Sequence, residues 1–333
     1  MTIKVIRSLG RHAVRAQLAG ARIGGRVLVR GVRTGIRRHH RVPRLPDLPP
    51  GRLVDLPGRG EVFAVDTGAP HPGAPTLLLF HGLATTSYLS WFTSIEDLSA
   101  SYRVVMLDQR WHGRGIVSER FLLEECVDDA AALLDVLGID EVVAVGYSMG
   151  GALAQLFWRR HRERTAGLVL ASTLARWRSS RGDLLFYSVL ELANVPLRGH
   201  YRRRVETVRT ALPDPGEPGM DLSEWAWGEF RSTSAWALPE VLGALGGFDA
   251  RSWLGAVDVP TAVVVTARDR ALSTRRQRQL AALIPTATLH EAPGGHTSVV
   301  FDVEHWLPVF LAAVADVVAR TGHAAPLQRE RRA

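Results

Sequence analysis

One cysteine, Cys126, and one lysine, Lys4, occur in a chain of 333 residues. A single cysteine excludes an internal disulfide and a thiolate metal cluster, and within FLLEECVDDAAALLDVLG it reads as a small buried hydrophobe on a helix. No uninterrupted apolar stretch approaches the roughly 18 residues that cross a bilayer. The basic N-terminus is not followed by the apolar core of a secretory signal. A globular, cytoplasmic protein is the expectation. Acid is also missing where it would matter most for charge balance. Residues 1–44 carry 12 basic side chains, Lys4 and 11 arginines, and no Asp or Glu. The formal net charge of +8 is therefore uneven: the remaining 29 basic residues face 33 acids, and the body is about −4.

The basic arm extends to about Pro50. Arg7, Arg11, Arg15, Arg22, Arg26, Arg30, Arg33 and Arg37 recur at steps of three, four or seven, which gathers them on one side of a helix. Such a face suits an acidic surface such as anionic lipid, nucleic acid or a protein partner. Gly10, Gly20, Gly24, Gly25, Gly31 and Gly35 oppose this, each costing a helix about 1 kcal/mol relative to alanine. A mobile or loosely helical tail is the leading reading, a peripheral membrane-surface or partner-binding helix the second, and nucleic acid the least favoured. Pro43 to Pro50 reads as a linker, and residues 322–333 as a basic tail.

Beyond Leu53, short apolar runs alternate with helical patterns. Val62–Asp66, Thr76–His81, Arg103–Asp108, Val142–Gly146, Gly167–Ser172, Thr261–Thr266 and Ala287–Glu291 read as strands, most of them continuous enough to be covered on both faces of a largely parallel sheet. Helices are expected near 119–138, 149–162, 273–283 and 300–320. This is an α/β chain with a doubly wound sheet, whose site belongs at the carboxyl ends of the strands. Residues 174–254 break the rhythm with 10 of the chain's 24 aromatic side chains and read as an inserted helical cap. The core is then 51–173 and 255–321. The cap's rings either line an apolar pocket or pack the cap onto the core.

The stretch EVVAVGYSMGGALA, residues 141–154, joins a β-branched run to a helix through Gly146-Tyr147-Ser148-Met149-Gly150-Gly151, a nucleophile elbow. Gly146 and Gly150 are required because a Cβ on either would strike neighbouring backbone in so tight a turn. Ser148 is lifted clear of the sheet before a helix whose free N–H groups point at it. A hydroxyl becomes a nucleophile when an imidazole takes its proton and a carboxylate orients the imidazole. Asp269 and His296 follow later strand ends and supply these groups. The amides of Met149 and of Leu83, in the turn after TLLLFH, are the candidate oxyanion donors. His81, Tyr147, Trp111 and Trp177 are candidates for the pocket. No histidine cluster has metal-ligand spacing.

With His81-Gly82, Asp108-Gln109-Arg110, the elbow, Asp269 and Gly295-His296 in place, the chain resembles the α/β-hydrolase fold family over residues 53–320. The resemblance implies a mostly parallel eight-stranded sheet with helices on both faces and a cap, and an esterase-like Ser/His/Asp triad without cofactor. In detail the chain is similar to bacterial esterases, enol-lactonases and cofactor-free haloperoxidase-like perhydrolases. Members with an aspartate nucleophile, the dehalogenases and epoxide hydrolases, are disfavoured by the serine at the elbow. Cleavage of a small apolar ester, thioester or lactone is the expected activity. Transfer of the acyl group to peroxide or an alcohol, and noncatalytic ligand binding, are the alternatives. One departure stands out: Trp111 occupies a position where the family often has glycine, so the local turn and the pocket beside it are expected to differ.

Overall fold

The computed structural model describes Leu45 and residues 47–210 and 220–322. The basic arm over 1–44, the tail from residue 323 and the PDPGEPG run lie outside the described residues. Eight strands form one sheet: β1 (Gly51–Leu56), β2 (Gly60–Asp66), β3 (Thr76–Phe80), β4 (Arg103–Leu107), β5 (Val142–Tyr147), β6 (Thr165–Ala171), β7 (Thr261–Thr266) and β8 (Ala287–Ala292). Their spatial order is β1-β2-β4-β3-β5-β6-β7-β8. β2 is antiparallel to both β1 and β4, and every other pairing is parallel.

The central strands are apolar on both sides because both sides are covered. Every residue of β5 and β7 is buried. On one face pack α3 (Leu123–Val136), α4 (Met149–Arg160) and α8 (Thr274–Leu283). On the other lie α1 (Ser87–Trp91), α2 (Ile95–Ser99), α9 (Ser298–Phe301) and α10 (Val303–Arg320). Helix α10 buries Trp306, Phe310, Ala313, Val314, Val317 and Val318, a stripe at three- and four-residue spacing that faces the sheet. The helix expected over 300–320 is in fact two, parted at Asp302, and β1 precedes the first strand read from the sequence.

The insert after β6 contains α5 (Arg181–Thr210), α6 (Leu222–Ser232) and α7 (Leu238–Gly247). Its two ends meet at a bridge between Arg176 and Asp249, where the Ala250 N–H donates to Ala175 O at 2.8 Å. Aromatic pairs carry the seam with the core: Trp225 meets Phe92 edge-on at 5.1 Å, and Trp253 stacks on Trp158 at 6.0 Å. These rings pack the insert onto the body.

Two buried histidines lace the ends of β3 and β4. The His81 Nδ1–H donates to Gly82 O at 2.8 Å, and its Nε2 accepts the Gln109 N–H at 2.8 Å. That pattern requires a neutral ring. His112 lies edge-on to His81 at 5.2 Å and bonds Arg110 O through Nδ1. Burial lowers the His81 pKa to about 4 and, with His81 beside it, that of His112 to about 3. Both rings stay neutral when folded and take up protons on unfolding below about pH 6.5, so stability is complete above that pH and falls as the pH drops toward 4 and then 3. The loss from His81 alone is about 3 kcal/mol. Thermal unfolding midpoints should decline steadily from pH 6.5 to 4, and His112→Phe should flatten that slope.

Candidate active site

The β5–α4 turn forces Ser148 into the left-handed region, φ 55° and ψ −115°. A Cβ on Gly146 would lie 2.1 Å from Gly150 O, and one on Gly150 would lie 2.0 Å from Phe80 O. Only glycine fits either place. The distorted serine is held on both sides: its N–H donates to Ala171 O at 2.9 Å, and the Thr173 hydroxyl donates to its carbonyl at 2.7 Å.

Ser148 Oγ stands 3.0 Å from His296 Nε2, and His296 Nδ1 stands 2.8 Å from Asp269 Oδ2. The Nδ1–H donates to the carboxylate, which leaves Nε2 as an acceptor facing the hydroxyl. Three side chains from the ends of β5, β7 and β8 thus make one continuous hydrogen-bond path. The Tyr147 hydroxyl donates to His296 O, and its ring lies beside the imidazole at 5.4 Å, fixing the loop that carries it.

Asp269 is fully occupied. Oδ1 accepts the N–H groups of Ala271 and Leu272, each at 2.8 Å, and Oδ2 accepts from Thr266 Oγ1 and Gln277 Nε2 at 2.8 and 2.9 Å as well as from His296. Burial pushes this carboxyl up, but the His296 hydrogen bond and charge, the Leu272 amide and the Thr266 hydroxyl outweigh it, and the pKa lies below the ordinary carboxylate value. The site therefore carries a carboxylate, not a carboxylic acid, at neutral pH. Thr266 and Gln277, which hold it, carry no motif and were not anticipated from the sequence.

The turn after β3 crosses directly in front of the elbow. A Cβ on Gly82 would touch the Tyr147 ring at 3.0 Å and lie 3.7 Å from Ser148 Cβ. Ala84, two residues on, is also left-handed at φ 61°. Among the described residues the amides of Leu83 and Met149 donate to no acceptor. Helix α1 then begins at Thr86, whose Oγ1 accepts the Leu89 N–H.

All four pocket candidates are buried. His81 is wholly buried with both nitrogens committed to backbone, so it shapes the turn rather than lining an opening. Trp111 keeps the left-handed backbone of a glycine position, φ 63°, but its ring is buried in the core with Ile116 and Phe121, and Nε1–H donates to Ser118 O at 3.2 Å. Trp177 is buried edge-on against Phe248 at 5.9 Å. Tyr147 is buried and bonded to the histidine loop. Cys126 is buried, and its thiol pKa is driven far up by burial. Among the described residues no three His, Cys, Asp or Glu side chains are grouped to hold a metal ion.

A family model described as alpha/beta hydrolase fold matches residues 75–303. The chain is 35% identical over 122 residues to epoxide hydrolase B of Mycobacterium tuberculosis, a match covering 35% of this chain and only 34% of that relative's length. It is 25% identical over 215 residues to 3-oxoadipate enol-lactonase 1 of Acinetobacter baylyi, covering 63% of this chain and 77% of the relative. Among solved structures, a thermophilic esterase from Thermogutta terrifontis superposes with a TM-score of 0.59 at 26% identity, covering 83% of this chain and 100% of the esterase. With the family model spanning well over half of the sequence and the eight-stranded sheet carrying the elbow at its centre, the chain belongs to the α/β-hydrolase fold family.

Proposed function

We propose that the protein is a serine hydrolase that cleaves a small, apolar carboxylic ester, thioester or lactone. The observation that carries this reading is the path from Ser148 Oγ through His296 to Asp269, at 3.0 and 2.8 Å. Ser148 attacks the carbonyl carbon as its proton passes to His296 Nε2, and the electron pair displaced from C=O becomes an oxyanion held by the Leu83 and Met149 amides. The carbon–oxygen or carbon–sulfur bond then breaks, with His296 returning its proton to the leaving group. Water, deprotonated by His296, attacks the acyl-enzyme and releases a carboxylic acid and free Ser148. Asp269 stays ionised throughout and stabilises the imidazolium.

The likeness to an esterase and an enol-lactonase supports acyl chemistry on this scaffold. The likeness to epoxide hydrolase B covers a third of that relative. Opening an epoxide through an ester intermediate requires a carboxylate nucleophile, and the elbow here carries Ser148.

Ser148→Ala should lower kcat for short p-nitrophenyl esters on the order of 10⁴-fold or more, with an unchanged thermal midpoint. Turnover retained in that variant would remove the serine mechanism. A fluorophosphonate should label wild-type Ser148 and fail on the variant; an unlabelled wild type would make the site a binding pocket. Asp269→Asn should leave KM nearly unchanged while kcat falls about 10³- to 10⁴-fold, because the amide donates to Nδ1 and presents the wrong tautomer to Ser148.

A further inference from the structure

We infer that the outer face of helix α5 is a docking surface for an anionic phospholipid bilayer. The helix turns Tyr187, Leu190, Tyr201 and Val205 inward, where they are buried. Its opposite face leaves Leu184, Leu185, Val189, Leu192 and Val195 in solvent, with Leu185 67% and Leu192 76% exposed. At 100° per residue these five fall on one side of the helix. An apolar stripe of this size is not expected on an unpartnered surface.

Charge identifies the occupant. Along that side the stripe is bracketed by Arg181 before it and by Arg202 and Arg203 after it, so guanidinium groups stand at both ends of an apolar face. This is the pattern of a helix that lies in a headgroup layer with its apolar side turned to the acyl chains. The acids of this half are engaged: Asp183 accepts from Ser179 and Ser180, and Glu191 pairs with Arg178 at 3.4 Å. Beside the helix N-terminus, an open groove of about 670 Å³ is lined by Arg176, Arg251, Arg275, Arg276 and Ser179, with no acid among its lining residues. Arg251 is paired with Asp249, and Arg276 donates to the carbonyls of Arg176 and Trp177. Arg176 and Arg275 donate no side-chain hydrogen bond among the described residues; Arg176 feels the charge of Asp249, which is itself paired with Arg251, and both guanidinium groups can turn to lipid phosphate. No described helix is long and apolar enough to cross a membrane, so the contact is with the surface.

The test is co-sedimentation of the full chain with phosphatidylcholine vesicles containing 30% phosphatidylglycerol, at 0.1 and 0.5 M NaCl. At the higher salt, long-range attraction through the basic arm is screened, and what remains reports the apolar face. The combined variant Leu185→Ser, Val189→Ser, Leu192→Ser should partition at least tenfold more weakly at 0.5 M salt, with unchanged circular dichroism. Arg176→Gln with Arg275→Gln should weaken binding at 0.1 M. In a separate protein, Leu192→Cys carrying an environment-sensitive fluorophore should shift its emission to the blue on these vesicles, and less so on pure phosphatidylcholine; the one native cysteine, Cys126, is buried. Equal partitioning of wild type and the triple serine variant would overturn the proposal. So would a wild type that ignores vesicles but is dimeric by light scattering and becomes monomeric in that variant, since the face would then belong to a second copy.

Discussion

The backbone at Ser148 is the constraint on which the remainder of the structure depends. A non-glycine residue held left-handed costs on the order of 1–3 kcal/mol, and it persists only where neighbours over-determine it. Here the parallel register of β5 with β6 sets Tyr147 opposite Ala171 and brings the Ala171 carbonyl to the Ser148 amide. Thr173, just past β6, clamps the Ser148 carbonyl from the other side. The strain is useful because it points the hydroxyl away from the sheet and sets the following amide at a helix N-terminus. Both effects require α4 to start without a spacer, and that is why Gly150 must lie within van der Waals reach of the Phe80 carbonyl.

Much of this was legible in the sequence because the central sheet is buried on both sides and its strands are short apolar blocks. Strand β1, GRLVDL, escaped notice for the opposite reason. It is an edge strand that buries only Val54 and Leu56, and Leu53 faces solvent. Helices α1 and α2 have five residues each, too few to display a 3.6-residue period. The candidates Ser148, Asp269 and His296 could be picked out from their places after strand ends, since a parallel sheet gathers those ends on one edge. What surrounds them could not be. Thr266 and Gln277 reach Asp269 from a strand and a helix, contacts fixed by packing rather than by any spacing. An aromatic near an active site in sequence is as readily a wedge as a wall, and the structure buries all four of the candidate pocket rings.

The insert after β6 is tied to the core by more than aromatic packing. Glu229, on α6, is buried. It accepts the Thr86 hydroxyl at 2.5 Å and pairs with Arg114 at 3.3 Å. Burial pushes its pKa up and nearby Asp108 pushes the same way, while Arg114 and the Thr86 hydroxyl pull it down. Thr86, three residues after Leu83, caps α1, so the insert bonds directly to the segment that carries one proposed oxyanion donor. A buried pair of this kind adds little net stability, but losing one partner is costly. Its effect is to fix where α6 meets the start of α1.

Asp108 and Asp269 show how two acids at strand ends acquire different work. Asp108 Oδ1 accepts the amide and hydroxyl of Ser87, and Oδ2 accepts the Arg114 amide; all its donors are groups that stay put, so it staples α1 to the loop after β4. Asp269 also accepts two backbone amides, but its second oxygen faces a histidine with one nitrogen to spare. The difference lies in the sheet order. β7 and β8 are neighbours, so the loops after them run side by side, whereas β4 is separated from β8 by β3, β5, β6 and β7. The carboxylate that can orient His296 is therefore the one carried on the adjacent strand. The same neighbour relation hangs both ends of the bond from Nδ1 to the carboxylate on the core rather than on the insert.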